Sequence, residues 1–515
     1  MHALARVFSA ELEGVNARPI EVEVDLHVGL HAFNIVGLAD KALSEARERV
    51  NSAIKNSGAK PPNRENRKIT VNLAPADVKK TGSHYDLAIA IGYLLATKQV
   101  KPFDAKNKLF VGELALDGRL RPICGSLNIA ELCKNRKYDE LFLPQENAGE
   151  AAAIEGISIV PVGNLEEAIR IIEGNASPAK VDSIPRRAKD ADIPDFSEVR
   201  GQENAKRALV IAAAGGHNLL MTGPPGVGKS MLAKALCGIL PPLSREEAVQ
   251  VTKIWSVAGI SPGGLLEDRP FRSPHQTASL ISIVGGGSDP KPGEISLAHR
   301  GVLFLDELPE FPRSILESLR APLESGIVHI ARAKGTLSFP AKFSLVAAMN
   351  PCPCGFYGDS EKECRCSAYE IAKYEKKISG PLLDRIDVQI RVPRIPISAL
   401  RSDVVAPKKS EDIRAGVVQA RKAQEARFSG GEFHKKRQKL VNAEMTSAEA
   451  ERFSALGREG EAFLSRFERA GLSPRGFYRI LKVARTIADL EGAPGVLPGH
   501  LAEAFGYRLT ERNGF

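Results

Sequence analysis

The sequence is organised around Gly223-Pro-Pro-Gly-Val-Gly-Lys229-Ser230, a stretch that fits the pattern G-x-x-x-x-G-K-[ST] in full. An apolar run at residues 217–222 precedes it and a helical pattern at 231–240 follows it, which is the context that the pattern requires. The glycines let backbone N–H groups turn inward around phosphates, and the N-terminus of the helix adds a positive dipole. The stretch therefore predicts a phosphate-binding loop between a strand and a helix.

Each position of this loop has an expected part in binding ATP and Mg²⁺. Lys229 is expected to place its charge at the β- and γ-phosphates, and Ser230 to offer its hydroxyl to Mg²⁺. A fortuitous glycine-rich turn is the alternative, and the second half of the site argues against it. The backbone cradle is expected from Gly223, Pro224, Pro225, Gly226, Val227 and Gly228.

That second half is Gly301-Val-Leu-Phe-Leu-Asp306-Glu307, in which an apolar strand delivers two adjacent carboxylates at its end. Open α/β sheets bind ligands at the carboxyl ends of their strands. We expect Asp306 to hold the Mg²⁺ shell and Glu307 to orient or deprotonate the attacking water. A strand that ends in solvated acids is the simpler alternative.

Three further polar residues are candidates for the same chemistry. Asn350 follows the apolar run 343–349, where it would position water or sense the γ-phosphate, although an Asn before Pro351 also suits a simple turn. Arg385 lies in Gly380-Pro-Leu-Leu-Asp-Arg-Ile-Asp, and Arg475 lies at the start of a predicted helix. Guanidinium groups stabilise charge on a transferring phosphoryl group, yet a lone arginine is more often a surface residue.

Composition sets the broad class. The chain has 515 residues, enough for about three domains, with 43% hydrophobic and 26% charged residues. No apolar run is long enough to cross a bilayer and no secretory signal is visible, so we expect a cytoplasmic protein without membrane contact. A net charge of +9 permits a polyanionic partner without proving one. Seven cysteines in such a chain argue against a disulfide scaffold.

The sequence divides into segments 1–175, 176–196, 197–393 and 394–515. The second is a proline-bearing linker without sustained periodicity, and the last turns helical and more charged. Residues 217–222, 302–306 and 343–349 are continuous apolar runs bounded by breakers, as buried parallel strands are. In the first segment the patterns predict strands at 20–28, 69–73 and 109–111 and helices at 40–56 and 84–96.

Residues 197–515 resemble the magnesium-chelatase branch of AAA+ ATPases, and the whole chain resembles the ComM/YifB proteins. The resemblance is carried by Phe-Arg-Ser-Pro-His-Gln-Thr-Ala-Ser at 271–279, Pro-Gly-Glu-Ile-Ser-Leu-Ala-His at 292–299, Ala-Met-Asn-Pro-Cys-Pro-Cys-Gly at 348–355, and the stretches 303–311, 378–387 and 475–488. It implies an α/β fold, in which a P-loop AAA+ parallel sheet carries a helical C-terminal lid.

The resemblance also implies a hexameric ring with nucleotide at the subunit interfaces. Asn350 falls at sensor 1, Arg385 at an arginine finger acting in trans, and Arg475 at sensor 2. ComM-like proteins are regarded as helicases that promote branch migration while incoming DNA is integrated in natural transformation. A chelatase subunit, which couples the same ATPase to metal insertion into a tetrapyrrole, is the alternative.

Residues 1–175 resemble the α+β proteolytic domain of Lon, most clearly at Gly-Glu-Leu-Ala-Leu-Asp-Gly-Arg-Leu-Arg-Pro-Ile-Cys-Gly, positions 112–125. The match of Gly82-Ser-His-Tyr-Asp-Leu-Ala to Lon's serine motif places His84 at the nucleophile, with Ser83 one position early. No lysine stands at the partner position near 127–128. Since a Ser–Lys dyad needs both groups, we expect a non-proteolytic scaffold or DNA-binding platform.

Candidate DNA contacts lie on a predicted hairpin at 328–339 that turns at Lys334-Gly335. In related ring helicases an insertion here points into the pore, where Arg332 and Lys334 would meet the DNA backbone without reading sequence. An ordinary surface hairpin is the alternative. The glycines at 285–287 suggest a second pore loop or a flexible turn, and the basic run 434–439 suggests a solvated face or a DNA contact.

The cysteines form two groups. Cys352, Cys354, Cys364 and Cys366 make a four-thiol set that suits tetrahedral Zn²⁺, although the C-x-C spacing is shorter than usual. Reduced, unligated thiols are the alternative. The remaining cysteines have apolar neighbours in sequence and are expected in the core: Cys124, Cys133 and Cys237.

Overall fold

A computed structural model describes residues 3–38, 41–64, 66–181, 185–186, 193–261, 263–332, 335–396, 408–429, 441–468 and 474–508. The basic run 434–439 and Lys334 lie outside these residues. Within them, no helix is both long and apolar enough to cross a membrane. The chain builds a mixed α/β fold around two larger sheets.

The first sheet is mixed. Val22 lies opposite Val7 on one side and Leu73 on the other in antiparallel pairing, so buried positions alternate with partly exposed ones along each strand. Beyond the first strand the pairing becomes parallel. Across the sheet the strands run in the order Ala32–Val36, Arg67–Ala74, Asn16–Val28, Ala3–Glu13, Lys108–Phe110, Glu140–Pro144 and Ser158–Val162. This arrangement confirms the strands predicted from this segment.

Helices cover the first sheet. The helix Asp86–Ala96 is buried along almost its whole length, because it packs on the two long N-terminal strands. The observed helix therefore begins two residues after the start of the predicted helix 84–96. The predicted helix 40–56 is described from Lys41 onward. The helices of this region are Lys41–Asn56, Asp86–Ala96, Ser126–Arg136, Gln145–Ala151 and Leu165–Ile172, with a short hairpin of Glu113–Leu114 and Leu120–Arg121.

The second sheet is parallel throughout, as the continuous apolar runs predict. Its strands run in the order Phe271–Arg272, Val302–Leu305, Ser344–Met349, Leu219–Thr222 and Val388–Arg391. The α-helices of this region are Glu203–Gly215, Lys229–Ile239, Arg245–Ala258, Leu280–Val284, Glu294–Leu297, Arg313–Ser318, Arg320–Ser325, Ala368–Glu375 and Gly380–Leu383. The strand Leu219–Thr222, which leads into the phosphate loop, therefore lies between the strands that end at Met349 and Arg391.

Short strands accompany the parallel sheet. Pro185–Arg186, inside the predicted linker, pairs with Leu265–Leu266, and Gly285–Gly286 pairs with Lys291–Pro292. The predicted hairpin is confirmed as Ile327–Arg332 and Gly335–Pro340, with Arg332 opposite Gly335. Gly335 thus belongs to the second strand rather than to the turn. The short 3₁₀ segments are Pro62–Arg64, Phe196–Glu198, Leu308–Glu310 and Asn442–Glu444.

The C-terminal helices share a core with the parallel sheet. Ile480, Leu481 and Ala484 are buried in the same apolar cluster as Leu209 and Leu219. These helices are Ser410–Ser429, Ser447–Phe453, Arg458–Glu468, Pro474–Leu490 and Pro498–Gly506. The helical segment expected after residue 393 therefore packs directly against the nucleotide-binding region and shares its hydrophobic core.

The two sheets are connected through the helix Arg245–Ala258, which packs on Ser126–Arg136. Lys253 forms an ion pair with Glu131 across this contact. Cys124, predicted to lie in the core, is instead exposed, because it stands in the loop before Ser126–Arg136. Cys133 is buried, as expected, and Cys237 is partly buried.

Candidate nucleotide-binding site

The phosphate loop spans residues 223–228, between the end of the strand Leu219–Thr222 and the start of the helix Lys229–Ile239. Gly226 and Gly228 have φ angles of 80° and 88°, a left-handed conformation that glycine adopts without a Cβ penalty. Gly228 is also the N-cap of the helix. The loop thus presents its backbone at a helix N-terminus, a favourable place for an anion.

Lys229 is folded back onto this loop. Its Nζ donates to the carbonyl oxygens of Gly223 at 2.6 Å and Pro224 at 2.9 Å, and to Asn350 Oδ1 at 3.1 Å. Burial lowers the pKa of Lys229 to about 8, against the opposing effect of Asp306 and Glu307. The ammonium is therefore held by neutral oxygens in a place where an anion would be a better partner.

The two strand-end acids differ in their surroundings. Asp306 accepts the Ser230 hydroxyl at Oδ2, 2.8 Å away, and the Glu307 backbone N–H at Oδ1, 2.9 Å away. Glu307 is exposed, with φ 52° and ψ 47°, which is unusual for a residue other than glycine. Ser230 and Asp306 accordingly share one position suited to Mg²⁺, an oxygen-seeking ion.

Asn350 stands at the carboxyl end of the neighbouring strand Ser344–Met349. The Gly223 backbone N–H donates to Met349 O at 3.2 Å, so the start of the loop is tied to the strand that carries Asn350. The side chain of Asn350 is partly buried and accepts from Lys229. Asn350, Lys229, Ser230 and Asp306 are therefore brought together at one edge of the sheet.

Arg385 lies at the opposite edge of the same sheet. It precedes Val388, which pairs with Leu219 at the start of the phosphate-loop strand, whereas the loop follows Thr222 at the other end. Four residues of parallel strand separate the two edges by about 13 Å. This separation within one chain agrees with the expectation, drawn from the resemblance, that Arg385 acts on the nucleotide of another subunit, and that role stays a prediction.

The guanidinium of Arg385 is held at its own edge. Nη1 donates to Pro381 O at 2.6 Å and Nη2 donates to the carboxylate of Glu324. Arg385 is 8% exposed, and its buried Nε has no hydrogen-bond partner among the described residues. The sequence gave no sign of the Glu324 contact, because 61 positions separate the two residues.

A buried polar network next to Arg385 was also missed from the sequence. Asp387 accepts from His217 Nδ1 at 3.1 Å and from Arg479 Nη1 at 2.9 Å, and His217 Nε2 lies 2.8 Å from Thr486 Oγ1. Burial opposes ionisation of Asp387, yet Arg479 and His217 hold its pKa well below the usual value. This network joins the loop of Arg385 to the helix Pro474–Leu490. The one feature of the sequence that could have indicated this network is His217, a polar residue inside the apolar run 217–222.

Arg475 lies in the first turn of that helix and is exposed. Within the described part of the chain, it makes no hydrogen bond or ion pair with the phosphate loop. The sensor role of Arg475 therefore stays a prediction. Arg332 ends the first strand of the hairpin, while Lys334 falls outside the described residues, so the predicted DNA contact also stays a prediction.

In the N-terminal region, the residues at the predicted dyad positions form hydrogen bonds with other residues of the chain. Ser83 donates its hydroxyl to Glu113, and His84 Nε2 lies 2.8 Å from Ala10 O. Asn128, in the region where a lysine would be needed, is buried and donates to Val15 O at 2.7 Å. Among the described residues, these positions hold no Ser–Lys pair, and the assignment of a non-proteolytic domain stays a prediction.

The four clustered cysteines are brought together as predicted. Their Sγ atoms all lie within 4.8 Å of one another, and Cys352 is completely buried. The loop that holds them begins directly after Asn350. The cluster is thus a neighbour of the nucleotide site rather than a separate surface feature.

A glycine-lined phosphate loop, a strand ending in two acids and a strand ending in Asn350, adjacent in one parallel sheet, define a P-loop ATPase of the AAA+ class. Family models agree with this class: magnesium chelatase subunit ChlI matches residues 195–400, the model described as subunit ChlI of Mg-chelatase matches 22–147, and its C-terminal model matches 407–508. The chain belongs to the magnesium-chelatase-like family of ComM and YifB.

The relatives that establish this membership match along the full chain. YifB of Escherichia coli and the competence protein ComM of Haemophilus influenzae are each 42% identical over 99% of this chain and 98% of their own length. The magnesium-chelatase 38 kDa subunit of Cereibacter sphaeroides is 25% identical over 62% of this chain and 91% of its own length. The similarity to ComM and YifB therefore includes parts of this chain that the chelatase subunit does not match.

Proposed function

We propose that the chain hydrolyses ATP as a subunit of a hexameric ring and uses the energy to move or branch-migrate DNA during recombination, including natural transformation. The observation that carries the proposal is the 42% identity to a competence protein over 99% of the chain. A magnesium-chelatase-type subunit that drives metal insertion is the second candidate, favoured by the family models and by the chelatase relatives.

The side chains at the carboxyl edge of the sheet fit an ATP·Mg²⁺ complex. Lys229 would leave the carbonyl oxygens of Gly223 and Pro224 for the β- and γ-phosphates, exchanging neutral acceptors for anionic ones. Ser230 and Asp306 would hold Mg²⁺, which neutralises charge on the phosphates when bound. The freed Asn350 would then face the γ-phosphate, and Glu307 would orient the attacking water.

Arg385 is proposed to act on the nucleotide of a neighbouring subunit. Its position at the far edge of the sheet supports this role, since about 13 Å of strand separates it from its own phosphate loop. Arg385 also lines a cavity of about 1120 Å³ whose lining combines eight Arg and Lys residues with five Asp and Glu residues, an excess of basic side chains that suits phosphates. Arg475 is assigned to sensor 2 in this proposal.

DNA contact is assigned to the hairpin and the N-terminal segment. Arg332 pairs with Gly335 at the end of a hairpin that precedes the Asn350 strand, so movement of that strand on hydrolysis would reach DNA bound at this end. In this proposal Arg332 and Lys334 contact the DNA backbone. Residues 1–175 are proposed to be a Lon-like, non-proteolytic platform, with 176–196 as linker, 197–393 as ATPase and 394–515 as lid.

ATP turnover with and without branched DNA tests the proposal. We expect forked or four-way DNA to stimulate hydrolysis by the full chain, and the stimulation to weaken with salt because phosphate contacts release counterions. Lys229→Ala is the inactive control, and unbranched duplex is the control for DNA structure. Stimulation by a porphyrin-binding partner, without any response to DNA, would replace the motor with the chelatase function.

A further inference from the structure

The four sulfur atoms after Asn350 are arranged as a metal site requires. Cys352 Sγ lies 3.3 Å from Cys354 Sγ and 3.6 Å from Cys364 Sγ, and Cys354 Sγ lies 3.6 Å from Cys364 Sγ. With Zn–S bonds of about 2.3 Å, the edge of a tetrahedron of thiolates is about 3.8 Å. The sulfur–sulfur distances here approach that edge, and Cys366 Sγ lies within 4.8 Å of all three.

The surroundings of the sulfurs also favour bound thiolates. Backbone N–H groups of Arg365 and Phe356 donate to Cys354 Sγ. Such N–H donors stabilise negative charge on sulfur and fix the ligand's direction. All four cysteines are free of disulfides, and each is buried or partly buried. Four thiols in one compact group form a ligand set that suits a thiophilic divalent cation.

The cysteine loop touches the phosphate loop directly. Gly355 has φ 87°, and a Cβ at this position would lie 2.9 Å from Pro225 Cδ and 3.9 Å from Asn350 Cγ. Any side chain there would push against the nucleotide site. The loop therefore packs between the residue that would sense the γ-phosphate and the turn that would hold the phosphates.

The far side of the loop is anchored as well. Arg394, which follows the last strand of the parallel sheet, forms an ion pair with Asp359 at 2.7 Å and lies 5.9 Å over the ring of Phe356. The Nζ of Lys362 lies 5.1 Å from the centroid of the same ring. The cysteines are thus the centre of a loop fixed at both ends to the ATPase sheet.

We propose that Cys352, Cys354, Cys364 and Cys366 bind one Zn²⁺ as four thiolates, and that the zinc-held loop fixes Asn350 and Pro225 in position for ATP turnover. On binding, each thiol gives up its proton to solvent and no oxidant or reductant is needed. The proposed effect of the zinc-held loop on ATP turnover rests on the proposed function, because it uses the role assigned to Asn350 there. The metal site itself stands on the sulfur geometry alone.

Metal analysis of the full chain tests the site. Elemental analysis of protein purified without added metal is expected to find one zinc per chain, and Co²⁺ exchanged into the protein should give the absorption of a tetrahedral tetrathiolate. Iron in place of zinc, or reduced protein that takes up neither Zn²⁺ nor Co²⁺, would overturn the assignment. These readouts do not involve ATP or DNA, so they stand even if the motor function fails.

Paired cysteine variants locate the site and its consequence. Cys364→Ser and Cys366→Ser are expected to lose bound zinc, whereas Cys124→Ser, at an exposed position far along the sequence, should retain it. Nucleotide binding should persist in the zinc-free variants while ATP turnover falls by roughly tenfold or more, the range found when support around a site is lost. Unchanged turnover in a folded, zinc-free variant would contradict the coupling to Asn350, and zinc retained in both variants would contradict the ligand set.

Discussion

The two edges of the parallel sheet carry the two groups of residues assigned to the proposed reaction. At the carboxyl edge, Lys229 and Ser230 are bonded to Asn350 and Asp306, so the groups suited to ATP already lie side by side. At the amino edge, Arg385 is bound to Glu324, about 13 Å of strand away from those groups. Both edges therefore hold their charges in internal bonds that a nucleotide would replace. In the proposed mechanism, the carboxyl edge binds the chain's own nucleotide, whereas Arg385 at the amino edge acts on the nucleotide of another chain.

The strongest test of the carboxyl edge is removal of the loop lysine. Lys229→Ala is expected to abolish measurable ATP binding and hydrolysis, because the phosphates lose the only ammonium group that the described structure places within hydrogen-bonding reach of the loop carbonyls. Equilibrium binding of a fluorescent ATP analogue measures the effect. Lys234→Ala, at an exposed position on the same helix, is the matched control and should bind normally. Retained binding by Lys229→Ala would remove the phosphate loop from the mechanism.

The amino edge is tested by Arg385→Ala. Loss of an arginine acting on the transferred phosphoryl group is expected to lower turnover by roughly 10³-fold, with nucleotide binding unchanged. Glu307→Gln should also bind ATP, while its turnover falls by roughly 10²-fold or more. Steady-state ATPase and nucleotide-binding assays on each purified variant give these values.

Mixing the two variants separates an action in trans from one in cis. In a mixed ring, some interfaces join an intact Arg385 to an intact Glu307, so activity should rise above that of either variant alone. The control is a mixture of Arg385→Ala with Lys229→Ala. In that mixture an Arg385→Ala subunit, whose Lys229 is intact, can receive the arginine of a Lys229→Ala neighbour, so activity should rise here too if the arginine acts on a neighbour. Mixtures that show only the average of the separate activities would place Arg385 in its own chain's site or outside the reaction.

The carboxyl edge could be predicted from sequence because its signals are local. Short apolar runs bounded by glycine, asparagine or acids predicted the three strands at 217–222, 302–306 and 343–349 within about two residues of their observed starts. Parallel strands bring their carboxyl ends to one edge, so the predicted groups had to meet. Chain order and elementary sheet geometry were sufficient there.

The amino edge could not be predicted in this way, because its contacts join distant positions. His217 meets Asp387 across 170 residues, and Arg385 meets Glu324 across 61. No spacing rule relates such residues. The failure at Cys124 has the same origin, since apolar sequence neighbours do not report whether a loop is covered by another element. Sequence motifs predicted the groups at the carboxyl edge, and the resemblance predicted an action of Arg385 in trans, whereas the contacts that hold Arg385 became visible only in the fold.

Glu324 offers a smaller test of the amino edge. Its carboxylate is 59% exposed, so its pair with Arg385 is worth no more than about 1 kcal/mol. Glu324→Gln should ease release of Arg385 and shift the protein concentration that half-activates ATPase downward by at most about fivefold. Glu317→Gln, which breaks a partly exposed pair with Arg320, is the matched control and should have no effect. A loss of activity comparable to that of Arg385→Ala would mean that Glu324 positions the arginine for reaction.

The smallest effect concerns the protonation of Lys229 before nucleotide arrives. Burial lowers its pKa from 10.5 to about 8, so the unfolded chain binds more protons than the folded one between these values. The free energy of unfolding of the nucleotide-free protein therefore gains a contribution as pH rises from 8 to 10.5. Below pH 8 the folded chain carries the full cost of the buried ammonium.

Nucleotide binding should respond in the opposite direction. Phosphates favour the charged lysine, so above pH 8 binding takes up a proton, and ATP affinity falls by up to about tenfold per pH unit. Calorimetric titration in two buffers of different ionisation enthalpy measures that proton directly. Lys229→Arg keeps its charge over this range, so any binding that it retains should be independent of this proton. Proton uptake of equal size in both proteins would assign the titration to another group and leave Lys229 charged throughout, despite its burial among the loop carbonyls.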